Sequence, residues 1–184
     1  QFETKDFTTP DYFLDNFMKY PPLGLLSIAT DVDKKHSLEI FDATVKNLTL
    51  EEMLKHIIGE KPDVLGISVV TRRLYAMHWL TREVKKNLPE IIIIAGGPHI
   101  NYFPKETIEL GFVDYAIAGW CEKSFPQLME AISSGQKEED ISKVPNLYYK
   151  KNGKSFNNPP GKDLIILDSL PFPNRKLINL YDYY

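Results

Sequence analysis

The chain has 184 residues, is 43% hydrophobic and carries a formal net charge of −3, which fits one globular domain with a sizeable core and a tail. The near-neutral charge without a basic block argues against nucleic-acid and membrane-surface partners, and no apolar run approaches the ~20 residues of a membrane span. The single Cys121 excludes an internal disulfide and an iron–sulfur cluster held by cysteines of this chain alone, and it suits a reducing, cytoplasmic setting.

In chain order, Gln1–Tyr20 is polar and aromatic without clean periodicity, and it is expected to be irregular or a short helix. The chain starts at Gln1 rather than Met and is expected to be part of a longer protein. Pro21-Pro22 opens an apolar stretch, and proline is pre-organised for a first helical turn, so Pro22 to about Asp31 predicts a helix. Gly24 in that turn serves either close packing or ligand approach. Ser37–Phe41 alternates and predicts a strand ending at Asp42. Thr49-Leu50-Glu51-Glu52 is a capping box, so a helix runs from there through Gly59 with Leu50, Met53, Leu54, Ile57 and Ile58 on its buried side. Val64–Val70 predicts the next strand, which the chain leaves at Thr71, and about Leu74 to Asn87 a helix.

Ile91-Ile92-Ile93-Ile94 is hydrophobic on both faces of an extended chain, the pattern of a central parallel strand. It stops at Ala95-Gly96-Gly97-Pro98-His99, where missing Cβ atoms expose backbone. Pro104 starts a short helix that Gly111 caps, Val113–Ala118 is a strand ending in Gly119-Trp120-Cys121-Glu122, and Lys123–Ser134 is a helix with Phe125, Leu128, Met129 and Ile132 inward. Beyond Gly135 the pattern changes. Asn146–Tyr149 and Ser155-Phe156 flank Asn152-Gly153 as a hairpin, 157–161 is a loop, Leu164–Leu167 is a candidate further strand, and Pro171–Arg175 is extended like a linker.

Alternating strands and helices select an α/β fold with a doubly wound parallel sheet. The exits Ser68-Val69-Val70-Thr71, Gly96-Gly97-Pro98-His99 and Gly119-Trp120-Cys121-Glu122 then lie side by side. Open α/β sheets bind ligands at such carboxyl ends. His99 is read either as a loop histidine bonded to backbone or as a ligand contact. Thr71 is a helix cap or a ligand hydroxyl, and Glu122 a first-turn helix acid or a ligand contact. Cys121 is read as inert, His56 and His78 as surface or packing residues, and Asp42 and Asp63 as turn formers.

Together, Pro21-Pro22-Leu23-Gly24-Leu25-Leu26, Phe41-Asp42-Ala43, Lys61 through Ser68 with Thr71, Gly96-Gly97-Pro98-His99, Asp114, Gly119 with Glu122, and Leu170 through Arg175 resemble the cobalamin-binding domain that precedes the catalytic domain in many radical S-adenosylmethionine enzymes. The resemblance runs from Pro21 to Tyr184. It implies a flavodoxin-like or Rossmann-like domain at 21–140, a hairpin and linker at 141–184, and a downstream radical S-adenosylmethionine domain, most often a methyltransferase, that holds a [4Fe–4S] cluster and S-adenosylmethionine. It implies further that Ser68, Thr71, Gly96 and Gly97 line the nucleotide tail of the corrinoid, with Pro98 in the same turn. His99 and the turn of Gly119, Trp120, Cys121 and Glu122 face the ring edge or its amides, and Gly24 lies near the ligand.

Three departures from the family pattern carry consequences. The Asp-x-His-x-x-Gly motif, whose histidine ligates cobalt in other cobalamin domains, is absent: Asp33 and His36 stand three apart with no glycine in place. Gly-Trp-Cys-Glu replaces the usual Gly-Glu-Gly-Glu, which makes the ligand edge bulkier. No apolar first strand precedes the proline pair, so the sheet is expected to have a gap at its centre, filled by Leu164–Leu167, by another chain, or not at all, and the chain is expected to be marginal or self-associating. The alternatives are a flavin- or nucleotide-binding module, which lacks its Gly-x-Gly-x-x-Gly or phosphate loop, and a receiver-like interaction domain, which lacks its acidic cluster.

Overall fold

The computed structural model describes residues 20–32, 34–161 and 166–183. The expectations for Gln1–Lys19, for Asp33 and for Leu164 and Ile165 fall outside the described residues.

The helices are α1 Leu23–Val32, α2 Leu50–Glu60, α3 Leu74–Asn87, α4 Pro104–Glu109, α5 Ser124–Ser133 and α6 Glu138–Ile141. The strands are β1 Val64–Ser68, β2 Ile92–Gly96, β3 Tyr115–Ile117, β4 Leu147–Lys151 and β5 Lys154–Asn157, in the spatial order β1-β2-β3-β4-β5. The first three are parallel, with Val64 opposite Ile92 and Ser68 opposite Gly96. The hairpin then joins the same sheet antiparallel, Tyr115 opposite Tyr149, so the sheet is mixed rather than wholly parallel. Asn152 and Gly153 both have positive φ, 50° and 75°, as a two-residue hairpin turn requires.

The isoleucine run explains the layering. Successive side chains on a strand point to opposite faces. Ile91, Ile93 and Ala95 enter one core with Ile57 of α2, Met77, Leu80 and Val84 of α3 and Ile108 of α4. Ile92 and Ile94 turn to the other core with Val32 of α1, Leu128 and Met129 of α5, and Ile141. Helices therefore cover both faces. The capping box of α2 is present as read: Thr49 Oγ1 accepts from the Glu52 N–H, and the Glu52 carboxylate accepts from the Thr49 N–H at 2.8 Å. Asp114, just before β3, receives the Ile93 N–H at 2.7 Å and Lys85 Nζ at 2.8 Å, pinning the amino ends of β2 and β3, the end of the sheet away from the strand exits.

Four expectations are corrected. Ser37–Phe41 has no regular secondary structure and joins no ladder among the described residues, since alternation needs a neighbouring strand to become sheet. Val69 and Val70 lie beyond β1, because the chain turns into a 3-10 turn at Thr71–Arg73. Leu167 opens a 3-10 turn, Leu167–Ser169, rather than ending a strand. The anticipated central gap is instead an edge: β1–β5 form one continuous sheet, and nothing among the described residues pairs with the outer side of β1.

The proline-rich segment folds back on the domain. The Asn174 N–H donates to Thr30 Oγ1 at 2.9 Å, and Tyr183 OH lies 3.2 Å from Asp42 Oδ2. Asp42 also accepts from the Thr44 N–H, an Asx turn that fits its reading as a turn former. His56 stacks on Phe41 at 4.2 Å and pairs with Glu39, a packing role. Among the described residues no helix is long and apolar enough to cross a membrane.

Candidate functional site

The carboxyl ends of β1 and β2 are laced together by backbone. Beyond the Ser68–Gly96 pair, the Val69 N–H donates to Gly96 O at 2.8 Å and the His99 N–H to Val69 O at 3.0 Å. This closeness depends on Gly97. Its φ is 95°, and a Cβ there would stand 2.8 Å from Val69 N and 2.9 Å from Ser68 Oγ. The bare side of Gly97 therefore faces the β1 exit. A Cβ at Gly96 would meet only Cys121 Sγ, at 3.9 Å.

The β3 exit is held by Asn101, whose Oδ1 accepts from the Gly119 N–H at 2.7 Å, and by the Ala118 N–H donating to Asn146 O at 3.1 Å. Gly119 adopts φ 77°, a left-handed turn open to glycine. Cys121 Sγ rests 3.5 Å from Gly119 O, and burial, then the neighbouring Glu122 carboxylate, pushes its thiol up to about 11. At neutral pH it is a protonated thiol, in keeping with the inert reading.

His99 is 4% exposed. Its Nδ1 lies 3.1 Å from Thr71 Oγ1, and its ring stacks on Phe103 at 5.2 Å. Thr71 is exposed and makes no side-chain cap of the turn it opens. Ser68, Pro98, Gly119 and Trp120 are exposed, Gly96, Cys121 and Glu122 half-buried, so these residues form one open shelf. Val70, Tyr102 and Phe103 add exposed apolar surface along it. Gly24 lies in the first turn of α1, where a Cβ would meet no atom within 4 Å, so it is open surface rather than a packing glycine.

Asn101, Phe103 and Asn146 escaped sequence reading, because a single polar or aromatic loop residue has no periodicity to announce it. Cavities of about 780 Å³ and 440 Å³ open elsewhere, the first between α1 and the C-terminal segment, the second between residues 39–46 and that segment. Neither gathers the glycines and hydroxyls of the shelf, which is the better candidate for a ligand needing close backbone approach.

A model of the B12 binding domain matches residues 17–129. The chain is 30% identical over 164 residues to an uncharacterised methyltransferase of Pyrococcus horikoshii, covering 89% of this chain and 35% of that protein. It is 27% identical over 129 residues to TokK of Streptomyces tokunonensis, a cobalamin-dependent radical S-adenosylmethionine methyltransferase, covering 67% of this chain and 18% of that one. Its fold is similar to part of the radical S-adenosylmethionine methyltransferase TsrM from Kitasatospora setae, solved with cobalamin and a [4Fe–4S] cluster bound, at TM-score 0.66 and 18% identity, covering 85% of this chain and 29% of that one. The chain thus spans about a third or less of the length of these relatives. Flavin, nucleotide and receiver readings are not favoured beside these matches.

The shelf fits such a cofactor. Glycine backbone at Gly96 and hydroxyls at Ser68 and Thr71 suit an amide-bearing macrocycle with a nucleotide tail. Among the described residues no group of three His, Cys, Asp or Glu is placed to hold a metal.

Proposed function

The chain belongs to the B12-binding domain family, and from that premise we propose that it is the cobalamin-binding module of a radical S-adenosylmethionine enzyme, a methyltransferase. Bound cobalamin supplies a carrier for a methyl group. The residues of this chain hold and orient it. Ser68 and Thr71 offer hydroxyls, Gly96 bare backbone, and Gly119 and Trp120 the far wall of the shelf. Gly97 shapes the shelf by letting the β1 exit close on it. Cys121 and Glu122 close the edge beside Gly96 without a thiolate to offer. The reading assigns the [4Fe–4S] cluster and S-adenosylmethionine to a downstream domain, since this chain has one cysteine. It places the protein in the cytoplasm. It also has the chain by itself associate through the outer side of β1, whose backbone donors and acceptors lack a strand partner among the described residues.

The observation that supports the reading is the backbone lacing of the β1 and β2 exits, with the β3 exit tied to them through Asn101, into one glycine- and hydroxyl-bearing shelf. Titrating the 184-residue chain with hydroxocobalamin tests it. The expected result is a saturable shift of the visible bands together with protection from proteolysis. Unchanged bands and unchanged cleavage, with a flavin or nucleotide protecting instead, would overturn it.

A further inference from the structure

His99 is the most buried titratable side chain near the shelf among the described residues, at 4% exposure, and its Nδ1 lies 3.1 Å from the hydroxyl of Thr71. Two backbone bonds fix the residue and one stacking contact fixes the ring. Its backbone N–H donates to Val69 O at 3.0 Å, its own carbonyl accepts from the Phe103 N–H at 3.1 Å, and Phe103 stacks on it at 5.2 Å with 30° between planes. The imidazole therefore stands at a set place under the exit of β1. Thr71, by contrast, is exposed and begins a 3-10 turn that its side chain does not cap. Without the histidine its hydroxyl would be free to sample three rotamers.

We propose that His99 is a positioning residue for cobalamin binding: it does not touch the cofactor, but its Nδ1 locks the Thr71 hydroxyl in the one rotamer that presents a polar group to the ligand. This inference rests on the cobalamin reading above. A hydroxyl already oriented spends no conformational freedom on binding, which is where its contribution to affinity comes from. The bond holds with either partner as donor, because the hydroxyl proton rotates to suit. A net hydrogen bond of this kind corresponds to roughly 3- to 10-fold in affinity.

Hydroxocobalamin affinity is measured by the band shift for the parent chain, Thr71→Val, His99→Leu and the double variant, each checked for folding by thermal melting. His99→Leu and Thr71→Val are each expected to bind about 3- to 10-fold more weakly, and the double variant no more weakly than Thr71→Val alone. His99→Asn, whose amide reaches the place of Nδ1, is expected to recover most of the loss, and His99→Gln, whose amide reaches past it, is not. If His99→Leu melts without folding, the Asn and Gln pair decides alone. Equal affinity of folded His99→Leu and the parent, an undiminished histidine effect in the Thr71→Val background, or equal behaviour of Asn and Gln overturns the inference. If the parent chain itself does not bind cobalamin, the functional reading fails instead. The Thr71–His99 pair is then tested by whether Thr71→Val changes the imidazole nuclear magnetic resonance signals of His99. Unchanged signals would overturn the pairing too.

Discussion

A methyl group added at Gly97 would stand 2.8 Å from Val69 N, in a residue that already sits at φ 95°. Backbone cannot retreat as a flexible side-chain end can, so Gly97→Ala is expected to cost about 1–3 kcal/mol of stability. Gly96→Ala meets only a sulfur at 3.9 Å and is expected to leave stability nearly unchanged while weakening hydroxocobalamin binding. Denaturant melts and band-shift titrations of the two variants separate the roles, and a Gly97→Ala protein as stable as the parent would contradict the packing account. Both glycines were visible in the sequence as a point of close approach. That one admits a neighbouring strand exit and the other faces the shelf was not, because φ and the neighbour across the sheet are properties of pairing, absent from a local motif. His99 teaches the same lesson: its residue type fits either a loop histidine bonded to backbone or a ligand contact, and only the fold shows it buried with Nδ1 3.1 Å from Thr71 Oγ1.

At the scale of elements, the strands that read most clearly were those buried on both faces. Ile91–Ile94 divides its side chains between two cores, which only a sandwiched strand can do. Ser37–Phe41 alternates as cleanly, yet pairs with nothing among the described residues. The hairpin was legible from Asn152-Gly153, and its docking beside β3 was not, because turn chemistry sets the two arms against each other and says nothing of a third strand. The outer side of β1, unpaired among the described residues, has a consequence in solution. Half-buried Leu65 and Ile67 stand on an edge without the lysines that line β4 and β5 at Lys151 and Lys154. Sedimentation velocity of the chain alone is therefore expected to show a coefficient that rises with concentration. A monomeric boundary at every concentration, with a high melting temperature, would count against association through this edge.

For the molecule as a whole, the C-terminal segment matters because it closes on the domain through Asn174 to Thr30 and Tyr183 to Asp42. Burial, then the Asp42 carboxylate, hold the Tyr183 phenol protonated up to about 12. Its unfolded value is about 10. The folded pKa is raised, so the contribution is complete below about pH 10 and is lost as pH rises from there through about 12. Thermal melts between pH 8 and 11 are expected to fall more steeply above pH 10 for the parent than for Tyr183→Phe, which has no phenolic proton to lose. Parallel curves would show that the segment is not anchored there.

By itself the sequence determined the kinds and order of the helices as far as α5 and of the buried strands, the residues at each strand exit, and enough of a shared pattern to point to a corrinoid ligand, while the short α6, Glu138–Ile141, carried no signal that was read. These follow from periodicity, caps and turn chemistry, each contained within a few neighbouring residues. Tertiary structure alone decided that β1 has no strand on its outer side among the described residues, that the hairpin extends the sheet, that the C-terminal segment returns to α1, and that His99 faces Thr71. Those outcomes join residues far apart in the chain, 28 positions for the histidine and threonine and 141 for Tyr183 and Asp42. Only the packing of both faces of the sheet brings such partners within a hydrogen bond.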